Sequence, residues 1–177
     1  MSGLSLAIGV AIVRALVSIG IDGVSLKWPN DLLFDFTKLG GVLIELQGDM
    51  LGPATAVIGI GINLRLSDHI KTKIDQDTTD LYSIAQEIPD RNKLLAVLLR
   101  ELVVTLRTFD EKGFIPFRDE WIHHHAFENK LVELHLPNGS VEQGIARGVA
   151  SDGSLLIRTL MGEQSFNGGE ISLRKLD

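Results

Sequence analysis

The chain has 177 residues, 45% hydrophobic and 23% charged, with no cysteine and a formal net charge of −6. That balance is that of a soluble globular protein of one domain, or one domain plus a small satellite. It excludes disulfides, thiolate catalysis and cysteine-bound zinc, and the acidic surplus argues against a nucleic-acid partner.

Leu4 to Ile19 is apolar almost all round, as expected of a helix packed against a sheet. It carries Arg14, lacks a basic leading region and is too short to span a bilayer, so no membrane segment or signal is expected. Gly20 and Gly23 break it. Val24–Trp28 reads as a strand stopped by Pro29. Leu32–Phe34 and Leu39–Gln47 read as two strands joined by an Asp35–Lys38 turn. After a turn at Gly48–Pro53, Ala54–Leu64 is a third run rich in Val and Ile. Short connections between these strands predict an antiparallel meander.

Ser67–Thr79 is polar and aperiodic, a loop. Asp80–Glu87 is a short helix closed by Pro89. Asp90 caps a long helix, Arg91–Glu111, with an apolar stripe of Leu94, Leu95, Leu98, Leu102, Val103, Leu106 and Phe109. Gly113 ends it, and Phe114–Phe127 reads as a further amphipathic helix with Pro116 in its first turn. From residue 129 the pattern changes to short strands. Leu131–Leu136 pairs with Val141–Val149 across Pro137-Asn138-Gly139, Asp152-Gly153 leads to Leu155–Leu160, and Glu163–Leu173 closes a small barrel. The switch places a domain boundary at 128/129.

Chemistry concentrates in few places. Lys27 and Lys38 flank apolar strands and lie near proline or glycine. The bland reading is solvated surface; the other is a cation that must be paired or meet a ligand, with Asp31 the nearest partner for either. Ile58-Gly59-Ile60-Gly61-Ile62-Asn63 is no dinucleotide fingerprint, because no third glycine opens a helix. It is either a bulge or tight strand crossing, or a bare backbone on which a flat ligand lies, with the Asn63 amide available to a purine edge. Gly168-Gly169-Glu170-Ile171-Ser172-Leu173-Arg174 is a turn and strand, or a source of a forked guanidinium for phosphate at Arg174. Three adjacent histidines, His123 to His125, point in different directions on a helix and make no metal site. Trp28 and Trp121 read as core.

Lys27-Trp28-Pro29-Asn30-Asp31, Lys38-Leu39-Gly40-Gly41-Val42-Leu43-Ile44-Glu45, Gly59-Ile60-Gly61-Ile62-Asn63 and the Gly168–Arg174 block together resemble the bacterial biotin–protein ligases. The order and approximate spacing match over nearly the whole chain. The resemblance implies an α+β fold: a mixed or antiparallel sheet with packed helices, class II synthetase-like (1–128), then a small SH3-like β-barrel (129–177). It implies a cytoplasmic enzyme that uses Mg2+ and ATP to turn biotin into biotinyl-5′-AMP. The biotin then passes to a lysine of the biotin carboxyl carrier protein of acetyl-CoA carboxylase.

By the same resemblance, Lys38 reaches the biotin carboxyl and the phosphate oxygens, where a fixed cation offsets their repulsion. Gly40, Gly41, Gly59 and Gly61 form the backbone surface under biotin. Asp31 faces the acceptor amine, Asn30, Asn63 and Arg174 lie on the nucleotide side, and Lys27 with Trp28 supports the Asp31 corner. No residue is expected to ligate a metal.

The family's basic Gly-Arg-Gly-Arg loop and the strand before it lie upstream of the helix with which this sequence opens. The implied expectation is a copy lacking that amino-terminal part, binding biotin poorly and turning over slowly, with a sheet edge and an apolar helix face uncovered. The alternative is a non-catalytic interaction module on the same fold, which admits a homodimer. A lipoate ligase would share the fold without reason to carry the Lys-Trp-Pro-Asn-Asp block.

Overall fold

The computed structural model describes residues 3–48, 55–71, 76–168 and 172–175. Helix α1 (Leu4–Val17) is followed by a four-stranded antiparallel sheet in the order β1 (Ser25–Lys27), β2 (Asp31–Phe34), β3 (Thr37–Gln47) and β4 (Thr55–Ile62). Its inner row runs Leu26, Leu32, Gly40, Ile62 across the four strands. That face meets α1 closely enough that a Cβ on Gly9 would come within 3.1 Å of Leu26 Cδ2. Helix α1 is buried all round because α4 (Arg91–Lys112) and α5 (Arg118–His124) also pack on it. Half-buried Arg14 pairs with Glu120 of α5, and Val17 at the helix end is exposed.

Aspartates cap the starts of two connecting helices: Asp90, as expected, and Asp80, against the expectation that it lies inside its helix. Asp90 Oδ1 accepts from Lys93 N at the start of α4, and Asp80 Oδ1 accepts from Ser83 N at the start of α3 (Leu81–Ala85). Asp80 Oδ2 also accepts from Leu66 N, so this buried carboxylate ties two segments together. A short α2 (Asp68–Lys71) stands within the expected Ser67–Thr79 loop.

The Phe114–Phe127 helix is instead broken into a 3-10 turn, Ile115–Phe117, and α5, which ends at His124. Near-eclipsed i, i+3 side chains in the tighter turn bury Phe114 and Phe117 together. The α4 stripe is also only partly used. Leu94 and Leu98 are buried with Thr105, while Leu95, Val103 and Leu106 of the stripe remain exposed.

The second sheet is antiparallel in the order β8-β7-β6-β5-β9, comprising β5 (Leu131–His135), β6 (Val141–Val149), β7 (Leu155–Thr159), β8 (Gly162–Phe166) and β9 (Ser172–Lys175). The expected Glu163–Leu173 run is thus two strands on opposite edges of this sheet. Val132, Leu134, Ala146, Val149, Leu155, Ile157 and Leu173 form its buried inner face. The β6–β7 turn docks on the first part of the fold. Gly153 has φ 87° and lies so close to Gly3 that a Cβ would sit 2.7 Å from its Cα. The buried indole of Trp28 donates from Nε1 to Gly153 O at 3.1 Å. No described helix is long and apolar enough to cross a membrane.

Candidate functional site

The outer face of the first sheet carries a second row across all four strands: Lys27 opposite Asp31, Asp31 opposite Gly41, Gly41 opposite Gly61. Cross-strand partners share a face, so a cation, a carboxylate and two bare α-carbons stand side by side. Leu43 opposite Gly59 continues the trough along β3 and β4.

Lys38 reaches this face because of a β-bulge. The β2–β3 register shifts between Leu32 and Leu33, so that Gly40 faces Leu32 but Lys38 faces Leu33, with Leu39 the extra residue. In an unbroken strand, alternation would send Lys38 and Gly41 to opposite faces. The extra residue restores them to one face and buries Leu39. Lys38 Nζ lies 2.6 Å from Asp31 Oδ1, and Lys27 Nζ lies 3.5 Å from Asp31 Oδ2. Asp31 is thus a single carboxylate held between two ammonium groups, its side chain 16% exposed.

Main-chain bonds fix this corner. Lys38 N donates to Asp77 O and Thr79 N donates to Lys38 O, both at 2.9 Å, laying residues 77–79 beside the lysine. Asn63 Nδ2 donates to Thr79 O at 3.0 Å, so its amide hydrogens serve the loop that frames the site. Asn30 Nδ2 likewise donates to Val42 O at 2.8 Å, while Val42 N donates to Asn30 O. The glycines divide into two kinds. A Cβ on Gly40 would sit 2.2 Å from Gly61 O, so nothing larger fits there. On Gly41 it would crowd Asn30 O at 3.3 Å and Asp31 Oδ1 at 3.4 Å, whereas on Gly61 it would meet nothing nearer than Gly41 O at 4.0 Å, so Gly61 borders open space.

Two cavities share the Asp31–Lys38 pair as a common wall. One, of about 430 Å³, is floored by Gly41, Gly59 and Gly61. The other, of about 580 Å³, opens between the two sheets and adds Lys27, Phe36, Asp77, Phe127 and Arg174. Arg174, on β9, is therefore brought to the same cleft as Lys27, Asp31 and Lys38. Trp28 stands behind the corner and is buried. Gly168 is exposed at the end of β8, and residues 169–171 of that block lie outside the described residues. Among the described residues no three His, Cys, Asp or Glu side chains converge as a metal site.

Residues 3–123 match the model of the biotin/lipoate A/B protein ligase family, and residues 129–174 match the biotin protein ligase C-terminal domain. The chain belongs to the biotin/lipoate A/B protein ligase family. It is 37% identical over 175 residues to the bifunctional ligase/repressor BirA of Escherichia coli, covering 99% of this chain and 54% of that protein. It is 31% identical over 160 residues to a biotin–[acetyl-CoA-carboxylase] ligase of Mycobacterium tuberculosis, covering 87% of this chain and 56% of the other.

The chain thus spans about half the length of the curated relatives it matches. Among solved structures it superposes with a TM-score of 0.86 on the Aquifex aeolicus biotin protein ligase in complex with biotin and ATP. That pair is 31% identical, covering 99% of this chain and 72% of the other. The apo form of the same ligase gives 0.87 at 32% identity, covering 99% and 76%. The ligase fold, an α+β sheet-and-helix body followed by the small C-terminal barrel, is that of this chain.

Sequence reasoning passed over Phe36, Asp77 and Phe127 as site-lining residues. Asp77 sits in an aperiodic stretch, and nothing local reveals that its carbonyl will pair with Lys38. Phe36 and Phe127 are far apart in sequence and meet only through the docking of the two sheets.

Proposed function

We propose that this chain carries the lysine–aspartate wall of an ATP-dependent biotin–protein ligase. The observation that carries this reading is the Lys38–Asp31 pair standing between a glycine-floored trough and a cation-lined cleft. In the first step a biotin carboxylate oxygen attacks the α-phosphorus of ATP, and pyrophosphate leaves. Both reactants are anionic, and Lys38 offsets their repulsion where they meet. Gly41, Gly59 and Gly61 leave the trough open for biotin. Arg174 and Lys27 supply the remaining positive charge along the cleft, and Asn30 and Asn63 hold its frame.

In the second step the ε-amine of a carrier lysine attacks the acyl carbon, AMP departs, and Asp31 takes the amine's proton. Magnesium enters with the polyphosphate as part of the substrate. The acceptor is the biotin carboxyl carrier protein of acetyl-CoA carboxylase. That reading is supported by the name of the Mycobacterium tuberculosis relative and by the biotin and ATP in the Aquifex aeolicus complex. We read residues 1–128 as the catalytic part and 129–177 as the barrel domain. The lack of cysteine supports a cytoplasmic site of action, where ATP is available.

A second reading, a non-catalytic interaction module or homodimer, is favoured by the exposed apolar residues Leu43 and Val57 on the sheet and Leu95, Leu99 and Val103 on α4. Calorimetric titration with biotinyl-5′-AMP separates the two. Heat with the wild-type chain that is lost in Lys38→Ala supports the ligase. No heat from the wild-type chain overturns it in favour of the module.

A further inference from the structure

The loop between β2 and β3 has two residues, Asp35 and Phe36, with φ of 47° and 62°. Two consecutive positive φ values make this a primed hairpin turn, in which asparagine and glycine are at ease and a phenylalanine is not. Thr37 Oγ1 locks the turn by donating to Phe34 O at 2.6 Å. A bulky ring held in a conformation that suits asparagine points to a use for the ring.

Phe36 is 49% exposed, yet its ring meets two residues outside its own sheet. Its centroid lies 5.7 Å from that of buried Phe127, and Lys130 Nζ lies 5.4 Å from it. Both distances are those of favourable ring–ring and cation–ring contacts. Phe127 and Lys130 belong to the stretch that enters β5. In β5, Glu133 stands directly opposite Arg174 of β9. Phe36, Phe127 and Arg174 also line the same cleft as Asp31 and Lys38.

We propose that Phe36 is a positioning residue: its clasp on Phe127 and Lys130 holds the β5–β9 pair against the first sheet, so that Arg174 faces the Asp31–Lys38 wall. The role in substrate binding rests on the ligase reading above. The clasp itself does not. Its logic is leverage, because Arg174 is exposed on a strand of the second sheet, whereas the groups it must face lie on the first. A tie between the hairpin tip and the entrance to β5 sets that separation.

Phe36→Asn and Phe36→Tyr test this. Asparagine suits the turn but has no ring; tyrosine keeps the ring. Phe36→Asn should melt at or above the wild-type temperature. Its β5 and β9 amides should exchange with deuterium about tenfold faster, and Phe36→Tyr should restore the wild-type rate. In turnover, Phe36→Asn should raise KM for ATP about tenfold while leaving kcat within about twofold, since the clasp places a binding group. A smaller folded fraction would lower kcat and leave KM unchanged.

In an Arg174→Ala background, Phe36→Asn should add nothing further. Wild-type exchange in Phe36→Asn, a lowered melting temperature, or additive effects with Arg174→Ala would each overturn the proposal. Faster exchange in a protein whose wild type fails to bind biotinyl-5′-AMP would overturn the ligase reading and leave the clasp standing.

Discussion

Asp31 gives one oxygen to each of two lysines, and the two distances set different expectations for them. Lys38 lies at 2.6 Å and is shared by both cavities, and on the proposed ligase reading it is the cation where carboxylate and phosphate meet. Lys38→Ala should slow biotin-dependent pyrophosphate release about a thousandfold, whereas Lys27→Ala, at 3.5 Å on the cleft side, should cost about tenfold. Asp31→Asn should leave adenylate formation measurable and slow transfer to the carrier lysine by about a hundredfold or more, read by streptavidin blot of the carrier.

Thr105 presents a different residue-level problem. It is buried in α4, and its hydroxyl has no hydrogen-bond partner among the described residues. Thr105→Val should therefore raise stability by about 1 kcal/mol in a denaturant melt. His124 has a pKa below its ordinary value of 6.5, first through burial and then through neighbouring His123, with Glu120 opposing. The unfolded chain takes up that proton first, so stability should fall as pH drops below about 6.5 and level off below the folded pKa. His124→Gln should flatten that part of a melting-temperature profile; an unchanged slope would remove His124 as its source.

Helices and strands were legible where the signal is local. Asp90 caps the helix it precedes, and the Asn138-Gly139 hairpin pairs His135 with Val141. The β2–β3 turn was overestimated, because Lys38 belongs to β3 and only Asp35 and Phe36 are unpaired. The bulge at Leu39 could not be read either, since an apolar run with one extra residue looks like an unbroken one. Glycines show the same limit. Gly40 and Gly61 look alike in sequence, yet Gly40→Ala would push a Cβ to 2.2 Å from Gly61 O while Gly61→Ala meets nothing nearer than 4.0 Å. Thermal melts should show Gly40→Ala destabilised by about 3 kcal/mol and Gly61→Ala close to wild type. Gly61→Val should keep the fold but weaken biotinyl-5′-AMP binding in the calorimeter, since its side chain fills the trough.

At the scale of the molecule, the trough belongs to the first sheet alone, but the cleft that brings Arg174 to Asp31 and Lys38 exists only because two sheets dock. Trp28 shows how the motif serves that docking: its indole is spent on Gly153 O rather than on a ligand. Trp28→Phe should cost about 1 kcal/mol and open the cleft, measurable as faster exchange in β6 and β7 together with weaker ATP binding. Sequence alone determined the order of most elements and the four residue blocks that mark the ligase family. Those features are carried by residue type, local period and capping chemistry. Tertiary structure decided which face each residue serves. It turned Lys38 toward Asp31 through a bulge, bound the Asn30 and Asn63 amides to the main chain, and brought Phe36 and Arg174 to one cleft. The physical reason is that facing depends on strand register and on the docking of distant elements, and neither is written in any short stretch of chain.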